Sequence, residues 1–207
     1  MKSILVRASV LALGIALLFL AGCTAIKTKT SRYYVLNSMA GVETEKQVRP
    51  SDTSNISISI GPISLPKYLR KPQIVTRTGN NELNLAEFDR WAGKIEEDIG
   101  RVIAENLGHM LATDKVLSYP SMQAIGPDYN IQIDISRFDG RLGGDIELIV
   151  RWAVLDGQGR AVHGIKATHI IESAGGEGYA DMVLAQSKAL AVFSRELADV
   201  IKELTEG

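Results

Sequence analysis

Three stretches between Tyr129 and Ser173 constrain this chain's fold more than any other feature. Tyr129, Ile131, Ile133 and Ile135 occupy every second position, and so do Ile146, Leu148, Val150, Trp152 and Val154. Successive side chains on a strand point to opposite faces, so a period of two puts each set on one buried face. Gly140, Gly143 and Gly144 supply a turn after the first set. Asp156-Gly157-Gln158-Gly159 supplies a tight turn after the second, and a third strand runs from about Ala161 to Ser173. Connections this short join antiparallel neighbours, so the spacing predicts a meander.

Elsewhere the period changes. Ile95, Ile99, Val102, Ile103, Leu107, Met110 and Leu111 fall at helical spacing and predict a helix over about residues 94–113. Val183, Leu190, Phe193, Leu197, Val200 and Leu204 predict another over about 179–204, with Gln186 the one polar interruption of its stripe. That stripe spans barely three heptads, so it is read as packing on the sheet rather than as a coiled-coil seam. Earlier, Arg32–Leu36 and Ile56–Ile60 read as strands, residues 38–54 as a loop, and Val116–Tyr119 as a short strand. Gln73–Arg77 and Glu82–Leu85 flank Gly79-Asn80-Asn81 as a hairpin. Pro62 and Pro66 are expected to break regular structure. The fold class expected is α+β: a mostly antiparallel sheet with two main helices packed against it, in a single domain.

The start of the chain is of another kind. Met1-Lys2 and Arg7 precede an apolar to weakly polar run from Ala8 to Gly22, too short for a spanning helix of roughly 20 residues. A charged start, an apolar middle and small residues at the end describe a secretory signal segment. Leu20-Ala21-Gly22-Cys23 resembles the lipobox of bacterial lipoproteins, which implies lipidation of Cys23. The expected organisation is a signal peptide over 1–22, a lipidated terminus and short tether over 23–31, and one periplasmic domain over 32–207. Cys23 is the only cysteine, so the exported domain forms no internal disulfide and its fold rests on an apolar core. The tether residues Thr24–Ser31 reach at most about 28 Å fully extended, which holds the domain close to its bilayer.

Taking Lys2 and Arg7 away with the leader leaves 21 basic against 24 acidic residues. That balance excludes a strongly basic nucleic-acid footprint and argues against a polybasic grip on anionic lipid. Ser64-Leu65-Pro66-Lys67 matches S-x-x-K formally, but prolines at 62 and 66 disfavour the helix this chemistry needs, and no S-D-N or K-T-G follows. His109, His163 and His169 are scattered; the last two fit one strand face but lack a third ligand. Gly175-Gly176-Glu177-Gly178 lacks phosphate-loop spacing and carries an acid. Asp156 with its glycines is too sparse for a calcium loop. The residues supply no nucleophile, metal site or cofactor box, so the expectation is no enzyme, no cofactor and no metal.

The order of several segments resembles a known family, the PqiC-like, ABC-type transport auxiliary lipoproteins. Tyr33-Tyr34-Val35-Leu36 carries the resemblance, followed by Leu65-Pro66-Lys67-Tyr68-Leu69 with Ile74-Val75-Thr76-Arg77, and by Glu87-Phe88-Asp89-Arg90-Trp91-Ala92, read as leading into the first helix. Phe138-Asp139-Gly140 with Gly143-Gly144, Trp152, and Tyr179 to Leu190 complete it. The resemblance implies a lipoprotein anchored in the outer membrane of a Gram-negative bacterium, facing the periplasm. Thr24 agrees, because it is not the aspartate that retains such proteins at the inner membrane in enteric bacteria. The implied work is intermembrane lipid transport with a periplasmic MCE-domain protein and, through it, an inner-membrane permease, and the resemblance to ring-forming adaptors implies a homo-oligomeric ring. No catalytic residues carry over. Tyr68, Leu69 and Trp91 lie in the recurring segments as a possible partner interface, or else as core anchors. The alternative function is a structural envelope lipoprotein that binds peptidoglycan or stabilises an assembly.

Overall fold

A computed structural model describes residues 29–38, 55–119 and 126–206. In chain order the elements are β1 (Arg32–Tyr34), β2 (Ile58–Ser64), β3 (Gln73–Arg77), β4 (Leu83–Trp91), α1 (Ile95–Leu111), β5 (Val116–Ser118), β6 (Tyr129–Gly140), β7 (Asp145–Asp156), β8 (Ala161–Ser173) and α2 (Tyr179–Glu206). The loop expected over 38–54 falls outside the described residues beyond Ser38, and so does the leader with Cys23.

The meander forms as its alternation requires. β6, β7 and β8 pair antiparallel, and Ile131, Ile133, Ile135, Ile146, Leu148, Val150, Trp152 and Val154 are all buried. The fold is α+β, as expected, but its strands divide between two mixed sheets. One has the order β5-β2-β6-β7-β8 and the other β1-β4-β3. The pairs β2–β5, β2–β6 and β1–β4 are parallel, and the remaining three are antiparallel. Local periodicity identifies a strand; it does not identify a partner far away in sequence, and all three parallel pairs are non-local.

Two further differences have local causes. Pro62 does not end β2. The register with β6 shifts between Ile60 and Ile63, so Gly61 and Pro62 sit in an irregularity that takes the proline, which has no N–H, out of the ladder. Residues 87–91 are strand rather than a lead-in to the helix, because Asp89, Arg90 and Trp91 pair with Arg32, Tyr33 and Tyr34 of β1.

The core lies between the helices and the sheets. Ile95, Ile99, Val102, Ile103, Leu107 and Leu111 turn inward from α1, whose first turn carries Glu96, Glu97 and Asp98 where the helix dipole favours acids. The helix stops at Ala112, whose left-handed backbone (φ 51°) lets its N–H reach the Gly108 carbonyl. α2 is buried on more than one side because it packs against both α1 and the five-stranded sheet. Gln186 faces inward with the stripe and donates from Nε2 to the Phe138 carbonyl at 3.0 Å, tying α2 to the end of β6, while its buried Oε1 has no hydrogen-bond partner among the described residues. Among the described residues, no helix is long and apolar enough to cross a membrane.

Candidate functional site

The segment that joins any N-terminal anchor to the domain is held by an unusual density of polar contacts. Leu36 is fully buried. Its N–H donates to Asp98 Oδ2 at 2.7 Å, and its carbonyl accepts from Arg101 Nη2 at 2.6 Å. Asn37 N–H donates to Ser187 Oγ of α2 at 3.1 Å, and Ser38 Oγ donates to Asn106 Oδ1 of α1 at 2.7 Å. Asn106 also donates to Ser194 Oγ, so a short polar track crosses the helix pair under the incoming chain. Without Asp98 and Arg101 the buried backbone of Leu36 would be left unsatisfied.

Upstream, β1 is fixed at the edge of the small sheet. Arg32 Nη2 pairs with Asp89 Oδ1 at 2.8 Å, the Tyr34 hydroxyl donates to the same oxygen at 2.8 Å, and Ala92 N–H donates to the Tyr34 carbonyl. Burial, and then the hydrogen bond to Asp89, raise the Tyr34 phenol above its ordinary value. Tyr179, the first residue of α2, is raised by burial and next by the nearby Asp89 carboxylate. The exit at Arg32 therefore has a defined position beside the start of α2.

A second polar centre ties the small sheet to the large one. Asp139 is fully buried near the end of β6 and accepts from the Tyr68 hydroxyl at 2.7 Å, from Arg77 Nε at 2.5 Å and from Arg137 Nε at 3.2 Å. Arg137 continues to Glu147 at 2.9 Å, and Glu147 to His169 at 3.1 Å. Burial, then the Asp139 carboxylate, push the Tyr68 phenol up to about 12. A cavity of about 580 Å³ opens beside this centre, lined by Arg77, Asn80, Arg137, Arg141, Asp145 and Glu147 among others. Arg77 and Arg137 are already engaged by Asp139 and Glu147, so this charge serves the fold.

The expected site residues divide sharply. Cys23 lies outside the described residues. Leu69 and Trp91 are only 6% and 7% exposed and line one small apolar cavity with Leu65, Val75, Ile95 and Phe138. Tyr68 is half-buried with its hydroxyl on Asp139. The three stand close to the same part of the core, and their burial leaves little side chain to offer a partner. Asp98, Arg101, Asn106, Ser187 and Ser194 belong to no catalytic or ligand-binding motif in the sequence. The last three lie on otherwise apolar helix faces, which was the signal available.

The other residues weighed for chemistry are placed as follows. Ser64 ends a strand, and Lys67 begins the turn after it. His163 stacks on Trp152 at 5.1 Å between ring centroids, whereas His169 meets Glu147. An extra residue in β8 between Lys166 and His163 puts the two histidines on opposite faces, against the expectation of a shared one. Among the described residues no three His, Cys, Asp or Glu side chains group as metal ligands.

Comparison with known proteins agrees with this architecture. The chain is 25% identical over 191 residues to the intermembrane transport lipoprotein PqiC of Escherichia coli K12, covering 92% of this chain and 94% of that one. It is equally similar to the Shigella flexneri protein of the same name. Among solved structures, an uncharacterised protein superposes with a TM-score of 0.66 at 18% identity, over 84% of this chain and 99% of that one. A Xanthomonas campestris protein gives 0.63 at 16% identity, over 81% and 93%. These two show the fold alone. Residues 34–198 match the model of one family, so the chain belongs to the ABC-type transport auxiliary lipoprotein components.

Proposed function

We propose that the protein is a non-catalytic auxiliary subunit of an MCE-type intermembrane lipid transport system. It is anchored through acylated Cys23 to the outer membrane, facing the periplasm. The family match over 34–198 carries this reading, supported by near full-length similarity to proteins named intermembrane transport lipoproteins. The leader ending Leu20-Ala21-Gly22-Cys23 supports the anchor, and Thr24 supports outer-membrane sorting. Its partners are a periplasmic MCE-domain protein and, through that protein, an inner-membrane permease, with a homo-oligomeric ring as the assembly that caps a tunnel end. Because Leu69 and Trp91 are buried, the partner surface lies elsewhere on the domain or forms only on assembly.

The test is binding between the mature domain without Cys23 and the periplasmic part of an MCE protein from the same genome. Saturable binding between nanomolar and high micromolar concentration supports the transport reading. No binding across that range, together with retention on peptidoglycan, moves the function to a structural envelope lipoprotein.

A further inference from the structure

Several loops converge on the point where the chain enters the domain. Arg32 pairs with Asp89, and five residues on, Asn37 N–H donates to Ser187 Oγ, a little over two turns from Tyr179, so the chain enters along the first part of α2. The turn between β6 and β7 lies against the connection from β8 to α2. Ala174 N–H donates to the Gly144 carbonyl at 3.1 Å, and a Cβ added at Gly143 would stand 3.3 Å from Glu177 Cγ. One end of the domain thus gathers β1's start, the turn 141–144, the connection 174–178 and the start of α2. Tyr33 and Leu142 are exposed there, at 66% and 38%.

The opposite end is equally well defined. The 156–160 turn lies at the far end of β7. Tyr129, paired with Asp156, donates its hydroxyl to the Leu204 carbonyl near the end of α2. β5 lies beside the same end of β2. β7 has 12 residues, which at about 3.3 Å each separates the two ends by roughly 40 Å. The eight residues from Thr24 to Ser31 reach at most about 28 Å. A tether of that length, leaving at Arg32, does not let the far end face the bilayer.

We infer that the end built from Arg32-Tyr33, the 141–144 turn and the 174–178 connection is the membrane-facing surface, with Tyr33 and Leu142 at the lipid headgroup boundary. This rests on the proposed acylation of Cys23. A tyrosine suits that boundary, since its ring is apolar and its hydroxyl stays wet. Leu142 adds an apolar tip on a turn. Arg32, Arg141, Asp145 and Glu177 mix their signs around them, so the contact depends on the tether and apolar side chains rather than on lipid charge. The far end, with α2's last turns and the 156–160 turn, then points into the periplasm.

Acylation blocks the one native thiol, so an introduced cysteine is a unique labelling position. The full-length protein, purified from membranes and returned to phosphatidylethanolamine–phosphatidylglycerol vesicles, would carry an environment-sensitive fluorophore in Tyr33→Cys, Leu142→Cys, Gln158→Cys or Ile165→Cys. Mass measurement of the N-terminal peptide on the same preparation reports acylation independently. The expected result is blue-shifted emission quenched by nitroxide lipids at 33 and 142, with emission unchanged from buffer at 158 and 165. Acylated protein with the shift at 158 or 165, or at none of the four positions, overturns the orientation and leaves the anchor standing. An unacylated N-terminus overturns both.

Discussion

Leu36→Ala tests whether the clamp on the incoming chain is part of the domain's stability. The side chain is fully buried where the chain after β1 crosses the helix pair. Truncation removes three carbons, worth about 2.4 kcal/mol at ~0.8 kcal/mol each. The cavity raises the cost toward the 2–5 kcal/mol range seen for such changes. Partial collapse is open to a segment whose neighbours Val35 and Asn37 are exposed, so about 3 kcal/mol is the expected loss. For a domain of this size that lowers Tm by roughly 6–12 °C. Urea unfolding of the mature domain without Cys23, followed by tryptophan fluorescence, is the assay. Trp91 pairs with Tyr34 beside the clamp and Trp152 lies in the large sheet, so selective removal of either tryptophan reports whether both regions unfold together. A loss below about 1 kcal/mol, with Trp152 unfolding unchanged, would refute the reasoning and show that residues 32–38 open separately from the domain.

Asp139→Ala should cost about 3–5 kcal/mol, because it leaves Arg77, Arg137 and Tyr68 facing a buried gap; equilibrium denaturation measures it. Trp91→Ala should cost on the order of 3–5 kcal/mol in the same assay, and loss of partner binding without loss of stability would instead make it an interface residue. Ser57 donates backbone and side-chain hydrogen bonds that hold the Asp128 carboxyl below its ordinary value. Its contribution is full above the unfolded carboxyl value of about 4 and is lost as pH falls through the lower folded value. Asp128→Asn should therefore destabilise at neutral pH and converge on the wild type in acid. Tyr68 runs the other way: raised in the fold, it stabilises below about pH 10 and loses that contribution as pH rises toward 12, and Tyr68→Phe should remove this alkaline component from a pH series of melts.

Much of the fold was legible because it is written in local periods. Ile131 to Val154 reveal the meander, and Ile95 to Leu111 the first helix, nearly to the residue. The parallel partners of β1 and β2 were not legible, since Tyr34 and Trp91 meet across 57 positions with no local pattern to mark the pairing. Gly61-Pro62 misled for a related reason: proline warns of interruption, but whether a strand ends or bulges depends on the neighbour. The leader's order singles out Cys23, and the family segments single out Tyr68, Leu69 and Trp91. Their recurrence marks packing as readily as contact, and burial separates the two only in three dimensions. The contacts of Asp98, Arg101 and Ser187 in the clamp are to backbone groups of Leu36 and Asn37, which no side-chain pattern announces, and Asn106 adds the Ser38 hydroxyl.

Copurification of the full-length, acylated protein from native membranes, with the bound proteins identified by mass, tests the proposed function most directly. The account predicts an MCE-domain protein and its permease in the eluate, enriched over a Cys23→Ala control. Recovery of peptidoglycan-associated proteins with no MCE component would contradict it.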